Sequence, residues 1–448
     1  MTEVFIWRAS NAGDSQGLVA FDQAYRQANV FGMDFGTIDY KYGPISLGEI
    51  PEITQNRGYF PDKHSIMSRI SGVTADVVVG KETPLYLEAK EDLASRLVYP
   101  MKNGVIEKDD ERAWAVVKEL IRYALHAFAP GDPKFRGFFV VGSLSAIVPR
   151  YMYEKFFNLC AEVAAESNLI AGVTVIPQPL AVAISHKVLT CVVIESGHGN
   201  GQIAPISKYP IRNALVALNR GGADGNHIAA EVLKDSGYAD LAGEETMLRK
   251  VKENIGLVPL DLDKAIAAAK SDPERFRAKY RVEGTRVEVD LAENSWMRFL
   301  IGEYVFDPNN EIFQSYFSRG MPKPRDVRIG DVIFRGMQDL GEAIVESVER
   351  TPVELQPYLY RQIILSGGNF NWVVPKGLED VAVDSKAKIG ALLAKHGIEG
   401  SDVVMSESPQ FSVWRGAIVY GYSVPEDYGW TWEKMEGWVT VGSRQGKE

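Results

Sequence analysis

Two segments that lie far apart in the chain share one pattern of residues. Residues 31–45 read FGMDFGTIDYKYGPI, and residues 190–206 read TCVVIESGHGNGQIAPI. In each, an apolar strand ends in a carboxylate, Asp34 or Glu195, and a short glycine-containing turn leads into a second strand. Small residues in a turn let backbone N–H groups approach phosphate oxygens, and a nearby carboxylate can hold a hydrated Mg²⁺. The pair of hairpins therefore favours a two-lobed protein that binds a polyphosphate and its metal.

The length and charge of the chain are compatible with this organisation. At 448 residues the chain is too long for one core, so roughly two to four domains are expected. The net charge of −10 comes from interspersed acidic and basic residues, so no nucleic-acid partner is expected. Cys160 and Cys191 both lie in apolar runs, which argues against disulfides or a zinc site and favours a reducing compartment. We expect no membrane span and no signal peptide.

Strand and helix patterns alternate along the chain. The patterns predict a hairpin over 30–34 and 39–42, helices over 110–128, 149–166 and 178–186, and strands over 137–141, 172–176 and 189–194. Further along they predict strands over 362–365, 402–405 and 331–334, and helices over 244–255, 261–270, 273–279, 381–395 and 411–420. Asp109 or Asp110 can cap the first of these helices. Such alternation indicates α/β layers.

The candidate phosphate ligands lie in the two turns. Backbone N–H groups of Gly36, Thr37 and Ile38 can donate to one phosphate cluster, and Lys41 can add a positive charge. In the second turn the candidate donors are Gly197, His198 and Gly199. Either segment alone is more simply an ordinary hairpin, but the pair, with a third apolar strand that ends in Ser366-Gly367-Gly368, favours nucleotide binding. The chain has no G-x-x-x-x-G-K-[ST] loop.

Taken together, these residues resemble the actin superfamily along nearly the whole chain. The motifs that carry the resemblance are 34–37 (DFGT) with Lys41, 99–104 (YPMKNG), 176–180 (IPQPL), Glu195 at 17 positions after Gln178, 219–224 (NRGGAD), 366–370 (SGGNF) and 411–416 (FSVWRG). The phrases 196–200, 217–222 and 363–368 are most similar to crenactin, the actin of the crenarchaea.

The resemblance implies an α/β fold, the actin-like ATPase fold, in which two related lobes with four subdomains surround a central nucleotide cleft. Lobe I would comprise residues 28–185 and 411–448, with an irregular, mobile flap over about 46–80 as its second subdomain. Lobe II would comprise residues 186–410, with the fourth subdomain over about 221–306 and a plug-like insertion over 307–330. Residues 1–27 are expected to form a polar N-terminal extension.

The resemblance also implies a reaction, in which the chain binds ATP or ADP with Mg²⁺, hydrolyses ATP and polymerises with copies of itself in the cytoplasm as part of a cytoskeleton. Gln178 would orient the attacking water, and Asp34 and Glu195 would hold the metal through water. Accessory actin-binding proteins are further possible partners. The expected nucleotide-binding residues are Asp34, Gly36, Thr37, Ile38, Lys41, Glu195, Gly197, His198, Gly199, Asn200, Gly222, Lys252, Glu253, Gly367, Gly368, Asn369 and Trp372.

Several positions depart from the family pattern. Glu195 and His198 stand where conventional actins have aspartates, and Gln202 stands where they have a histidine thought to position water. Gln410 replaces a lysine near the adenine. These departures affect residues tied to hydrolysis more than residues tied to nucleotide binding.

The insertion over 307–330 bears on assembly. Ile312, Phe313, Tyr316 and Phe317 have the spacing of an apolar helical stripe. One interpretation is that the stripe packs on its own domain. The other is a plug that projects into neighbouring subunits, since an exposed apolar patch usually marks a contact site.

Three other functions are compatible with parts of this pattern. A small-molecule kinase of the same architecture would need an acceptor motif, and none is evident in the sequence. An actin-related scaffold subunit would bind ATP with weak or no hydrolysis and act in a larger assembly. A chaperone ATPase is disfavoured because no β-rich substrate domain follows the nucleotide fold.

Overall fold

The computed structural model describes residues 23–64, 66–72, 75–84, 93–243, 245–282, 287–329, 332–425, 428–432 and 434–440. The chain forms two compact units: Met1–Lys187 with Phe411–Glu448 (unit 1) and Val188–Gln410 (unit 2). Each unit is built on its own mixed sheet, which confirms the predicted α/β class. Among the described residues, no helix combines the length and the apolar character that crossing a bilayer requires.

The elements are numbered in chain order through both units. The strands are β1 (Val30–Phe35), β2 (Asp39–Pro44), β3 (Glu52–Gln55), β4 (Gly58–Tyr59), β5 (Val78–Val79), β6 (Leu97–Val98), β7 (Phe138–Leu144), β8 (Ile170–Pro177), β9 (Thr190–Ser196), β10 (Gly201–Ser207), β11 (Tyr209–Pro210), β12 (Val216–Leu218), β13 (Lys279–Arg281), β14 (Glu288–Asp290), β15 (Val327–Ile329), β16 (Val332–Arg335), β17 (Gln362–Ser366), β18 (Asp402–Met405) and β19 (Val439–Thr440). The α-helices are α1 (Gln23–Ala28), α2 (Ile66–Ser71), α3 (Leu93–Arg96), α4 (Glu111–Phe128), α5 (Arg150–Ser167), α6 (Gln178–Ser185), α7 (Gly222–Asp235), α8 (Glu245–Ile255), α9 (Leu262–Ser271), α10 (Pro273–Phe276), α11 (Arg298–Phe306), α12 (Gln314–Ser318), α13 (Leu340–Glu349), α14 (Gln356–Arg361), α15 (Ser385–Lys395) and α16 (Ser412–Ser423).

The main sheet of unit 1 has the strand order β19-β8-β7-β1-β2-β3. β1 pairs antiparallel with β2 and parallel with β7, which in turn pairs parallel with β8. Every residue of β1 is buried, which accounts for its nearly continuous apolar sequence, since a strand covered on both faces loses the alternation of a half-exposed one.

The main sheet of unit 2 has the order β15-β16-β12-β10-β9-β17-β18, with β11 added beside β10. β9 pairs antiparallel with β10 and parallel with β17, and β17 pairs parallel with β18. The five strands β12-β10-β9-β17-β18 therefore repeat the arrangement β3-β2-β1-β7-β8 of unit 1, three antiparallel strands followed by two parallel ones. The two units are thus related in topology.

Most helices begin where the sequence pattern predicts. Asp110 rather than Asp109 caps α4, because its side chain accepts from the Ala113 amide at 2.9 Å. The helix expected over 381–395 begins later, at Ser385, with Asp384 as its N-cap. The helix expected over 273–279 ends at Phe276, and residues 279–281 form strand β13 instead.

The segment 46–80 is not the irregular flap that its composition predicts. β3 extends the main sheet of unit 1, and β4 is the centre of a small sheet of order β5-β4-β6. Tyr59 on β4 is buried, and a Cβ on Gly58 would lie 2.6 Å from a methyl group of Val116. The expectation of irregular structure was wrong, because the apolar residues are scattered in this part of the sequence and form a core only where α4 covers them.

The end of the expected N-terminal extension is also ordered. Residues 23–28 form α1, and the buried Arg26 donates to the carbonyls of Gly421 and Tyr422 near the end of α16. The rest of the extension, residues 1–22, lies outside the described residues.

The insertion over 307–330 packs against its own unit. Phe313 and Tyr316 are 0% and 4% exposed, and Ile312 and Phe317 lie half-buried against the same core cluster. The Phe313 ring meets the Tyr304 ring of α11 edge-on, with ring centroids 4.9 Å apart. Of the two interpretations, these contacts support packing of the stripe on its own domain, because α11 offers these side chains an apolar surface within unit 2.

Candidate functional site

The first candidate turn joins β1 to β2 in unit 1. The Gly36 amide donates to the Asp39 carbonyl at 3.1 Å and closes the turn. A Cβ on Gly36 would lie 2.7 Å from the same carbonyl oxygen, so a larger residue would force the turn open. The amides of Thr37 and Ile38 take no part in this closing bond, which leaves the tip of the turn with two further backbone donors.

Asp34 lies at the base of this turn and is 3% exposed. Its Oδ2 lies 3.0 Å from Nζ of Lys41, its cross-strand partner, and its Oδ1 accepts from Nε2 of Gln178 at 2.9 Å. The structure thus brings three predicted site residues together from β1, β2 and the start of α6. The lysine compensates the charge of the buried carboxylate.

Gln178 is the first residue of α6, immediately after β8, and it is 6% exposed. Its Nε2 also approaches the Phe35 carbonyl at 3.4 Å. Both contacts are made by the amide nitrogen, and neither uses the amide oxygen Oε1, which is a hydrogen-bond acceptor. A glutamine held in this way can accept a hydrogen bond from a water molecule and set its orientation.

The second candidate turn, between β9 and β10 in unit 2, repeats the first. The Gly197 amide donates to the Asn200 carbonyl at 3.0 Å, as Gly36 does to Asp39. Glu195 faces Gln202 across the hairpin, and Nε2 of Gln202 donates to Oε2 of Glu195 at 2.8 Å. In both hairpins the glycine follows the carboxylate by two positions, and the cross-strand partner follows it by seven.

The parallel neighbours extend this correspondence. Ser143 of β7 is in register with Asp34, and Ser366 of β17 is in register with Glu195. Each carboxylate therefore lies between a polar partner on the hairpin and a buried serine on the parallel strand. The two sites are versions of one arrangement in which glutamate replaces aspartate and glutamine replaces lysine.

Helix α7 holds the second turn from behind. The amides of Gly222 and Ala223 donate to the carbonyls of Gly197 and His198, both at 2.9 Å. A Cβ on Gly221 would lie 2.4 Å from the His198 oxygen, which explains why a glycine precedes the helix. Nε2 of His198 lies 3.0 Å from Oε1 of Glu245.

The segment after β17 contacts the same turn. Gly367 has a φ of +97°, and a Cβ there would lie 2.1 Å from the Ser196 oxygen, so this position requires glycine. Nδ2 of Asn369 donates to Oγ of Ser196 at 3.0 Å and to the Gly197 carbonyl at 2.8 Å. Nε1 of Trp372 donates to the Asn369 carbonyl at 2.6 Å. No atom of the described residues lies within 4 Å of the Cβ position of Gly368.

Lys252 and Glu253, neighbours on α8, point to different surroundings. Lys252 is 6% exposed, and its Nζ donates to the Gly222 carbonyl at 2.7 Å. Burial lowers the pKa of Lys252 to about 8. Glu253 is exposed and pairs with Arg249 one turn earlier, at 2.9 Å. The structure therefore places Lys252 at the start of α7, the helix that contacts the second turn, whereas Glu253 lies on the solvent face of α8.

Asn56 is a site residue that the sequence did not indicate. It is fully buried, its Nδ2 donates to the Gly36 carbonyl at 2.7 Å, and its own amide donates to the Ile38 carbonyl at 2.6 Å. In the sequence it stands in the polar run Thr54-Gln55-Asn56-Arg57, with no apolar period or motif to single it out.

The surroundings of Asp34 fit a magnesium ion that is held through water. Among the described residues, no group of three or more His, Cys, Asp or Glu side chains could hold a metal. Mg²⁺ keeps several waters and needs only one or two carboxylates in nucleotide sites. Each oxygen of Asp34 accepts a protein donor and retains a lone pair that a metal-bound water could use.

Comparisons with known proteins agree with this geometry. A sequence model of the actin family matches residues 56–423 of the chain. Actin-related protein 3 of Schizosaccharomyces pombe is 25% identical over 386 residues, 82% of this chain and 81% of that protein. An actin-like protein of Neurospora crassa is 23% identical over 77% of this chain and 78% of its own length. Actin-related protein 2 of S. pombe is 25% identical over 68% of each chain.

Proposed function

The chain belongs to the actin family, and we propose that it binds ATP with Mg²⁺, hydrolyses ATP and polymerises into filaments. Members of this family typically bind and hydrolyse ATP. The observation that carries the proposal is the pair of matching hairpins, each with a carboxylate at the base and a glycine turn at the tip. One unit would thus supply one phosphate-binding turn, and the other unit a second.

In this proposal each group has a separate task. The turn amides and the ammonium of Lys41 would bind phosphate oxygens, and Asp34 and Glu195 would hold the magnesium ion through water. The ion supplies neutralisation of the phosphate charge. Gln178 accepts a hydrogen bond from the attacking water and orients it, which suits a reaction that depends mainly on positioning.

We propose a cytoplasmic, cytoskeletal setting with self-association as the main interaction. Cys160 and Cys191 are both buried as free thiols, which supports a reducing compartment. Within the family, the phrases over 196–200, 217–222 and 363–368 support a crenactin-like protein. The fungal relatives support the family as a whole and do not favour that branch.

A second candidate is an actin-related scaffold that binds nucleotide but hydrolyses it slowly. The observation that favours it is the second turn, where Gln202 holds the longer carboxylate of Glu195. A glutamate extends further than an aspartate, so it would place a metal-bound water differently. The curated relatives named actin-related proteins give this candidate further support.

Sedimentation of the purified protein with Mg-ATP, Mg-ADP or no nucleotide, with phosphate release measured in the same tubes, tests the proposal. We expect ATP-dependent pelleting followed by phosphate release. Tight ATP binding without pelleting over a range of protein and salt concentrations would favour the scaffold. Phosphate transfer that requires an added small-molecule acceptor would indicate a kinase instead.

A further inference from the structure

In both candidate turns an asparagine side chain binds the carbonyl oxygen of the corresponding glycine. In unit 1, Nδ2 of Asn56 donates to the carbonyl of Gly36, the first residue of the turn, at 2.7 Å. In unit 2, Nδ2 of Asn369 donates to the carbonyl of Gly197, the corresponding glycine, at 2.8 Å. The two asparagines come from unrelated places, since Asn56 lies between β3 and β4 and Asn369 lies just after β17. The same contact is thus made twice from different parts of the fold.

This contact determines where the next amide points. In a planar trans peptide, the carbonyl and the N–H group of the same unit point in opposite directions. The Gly36 carbonyl shares its peptide with the Thr37 amide. When Asn56 holds that carbonyl towards the interior, the Thr37 amide is directed away from Asn56, to the opposite side of the turn. A second bond, from the Asn56 amide to the Ile38 carbonyl at 2.6 Å, restrains the Ile38–Asp39 peptide at the other end of the turn.

The Asn56 side chain is suited to this role. It is fully buried, so its bond to Gly36 does not compete with bulk water. Only the amide nitrogen can face a carbonyl oxygen favourably, which fixes the orientation of the side chain. Asn56 also lies between the main sheet and the small β5-β4-β6 sheet, so it connects the turn to both.

We propose that Asn56, with Asn369 as its counterpart in unit 2, is a positioning residue that aims the turn amides at phosphate oxygens. This proposal rests on the proposed nucleotide binding and adds a determinant of selectivity to it. The preference for a phosphorylated nucleotide over the bare nucleoside depends on Asn56, whereas recognition of the adenosine part does not.

The test compares the affinities of the full-length protein for Mg-ATP, Mg-ADP and adenosine. Asn56→Ala removes the hydrogen bond to the Gly36 carbonyl. We expect the affinity for Mg-ATP and Mg-ADP to fall about tenfold, which is the effect of losing one well-aimed amide donor to a charged phosphate group. The affinity for adenosine is expected to stay unchanged. A purely structural role would lower all three affinities together.

Asn29→Ala is the matched control. Nδ2 of Asn29 donates to the Tyr25 carbonyl at 2.8 Å, just before the opposite end of β1. The variant thus loses the same kind of bond next to the other end of β1, and its ratio of ATP affinity to adenosine affinity should equal that of the wild type. If the wild type binds ATP and Asn56→Ala has the same ratio of ATP affinity to adenosine affinity, this inference is overturned and the proposed function stands. A wild type that binds no nucleotide would overturn the proposed function itself.

Amide exchange on the wild type covers the case in which Asn56→Ala does not fold. Because the Asn56 amide donates to the Ile38 carbonyl, phosphate held at the turn should slow its exchange. We expect Mg-ATP to protect the Asn56 amide at least several-fold relative to adenosine. Equal exchange with both ligands would contradict the proposed coupling.

Discussion

At the scale of single residues, the Asp34 carboxylate accepts from two side chains that come from other elements, Lys41 on β2 and Gln178 at the start of α6. Each partner restrains one carboxylate oxygen, so removing either leaves a buried charge with less compensation. The site residues of unit 1 therefore act as a group, and the effect of each substitution depends on the other two members.

Gln178→Ala should slow phosphate release about 100-fold while ATP binding is largely retained. The physical reason is that the variant loses the acceptor that orients the attacking water, and misplaced reactants cost about that factor. Single-turnover phosphate release with a parallel binding titration would measure both quantities. Gln338→Ala removes a comparable amide–carboxylate bond, to Glu346 at 2.6 Å, and should leave hydrolysis unchanged. Equal hydrolysis in wild type and Gln178→Ala would remove Gln178 from the mechanism.

The lowered pKa of Lys252 predicts that the stability of the protein depends on pH. Its pKa is about 8 in the folded protein, against 10.5 for the reference side chain. Between these values the unfolded chain binds more protons than the folded one, so this group makes stability rise as the pH increases. At about 1.4 kcal/mol per pKa unit, the full effect is on the order of 3 kcal/mol.

The measurement is the difference in unfolding free energy between the wild type and Lys252→Met from pH 7 to 10. We expect the wild type to gain on the variant above pH 8, because only the wild type loses the cost of a buried charge. Lys264, whose side chain is 83% exposed, offers the control variant Lys264→Met, for which the difference should stay constant. A constant difference for Lys252→Met would show that the lysine carries its charge in the fold without penalty.

At the scale of elements, close backbone contacts hold α16 in unit 1. Trp414 on this helix is fully buried, and a Cβ on Gly32 of β1 would lie 2.9 Å from its indole nitrogen. A Cβ on Gly416 would lie only 1.7 Å from the Ala181 carbonyl oxygen of α6. Two glycines thus allow α16 to approach both β1 and α6, the helix that carries Gln178.

Gly416→Ala should destabilise the protein by roughly 1–3 kcal/mol or more, because the methyl group has to push α16 away from α6. Gly390 in α15 is the matched control, since it is also helical but none of the described residues has an atom within 4 Å of its Cβ position. Gly390→Ala should stabilise the protein by about 0.5–1 kcal/mol through helix propensity. Chemical denaturation of both variants gives the comparison. A Gly416→Ala variant as stable as the wild type, or more stable, would mean that α16 has more freedom than its contacts indicate.

At the scale of the whole molecule, the two units differ in how they use the chain. Unit 2 is continuous, from Val188 to Gln410, whereas unit 1 is assembled from two segments. Unit 2 also has its own core clusters, one around α7, α8 and α11 and another between its main sheet and α13 and α15. The first segment of unit 1, Met1–Lys187, does not include α16, which lies in the second segment and packs on β1 and α6.

We therefore expect residues 188–410 to fold as a separate chain with cooperative urea unfolding. Residues 1–187 alone should bind a hydrophobic dye and aggregate, since β1 and α6 lose the helix that covers them. Joining 411–448 to residue 187 through a flexible Gly/Ser linker should restore a folded unit 1. Dye binding and denaturation curves of the three chains test this, and a non-cooperative 188–410 fragment would contradict the independence of unit 2.

The sequence by itself determined the α/β class, the two hairpins and most helix and strand positions. These depend on interactions within a few residues, such as the apolar run of β1, the Asp110 cap and the glycines at 36 and 197. The motifs around Gln178 and Gly367 were also readable, because each lies where a strand ends.

Only the tertiary structure decided which of these residues meet and which others join them. Asn56 reaches Gly36 across 20 positions, and Asn369 reaches Gly197 across 172, so no local pattern could reveal either contact. The burial of Lys252, the exposure of Glu253 and the packing of Phe313 likewise depend on neighbouring helices. Local sequence sets backbone preferences, but burial and polar pairing arise from segments that are distant in the chain and adjacent only in the fold.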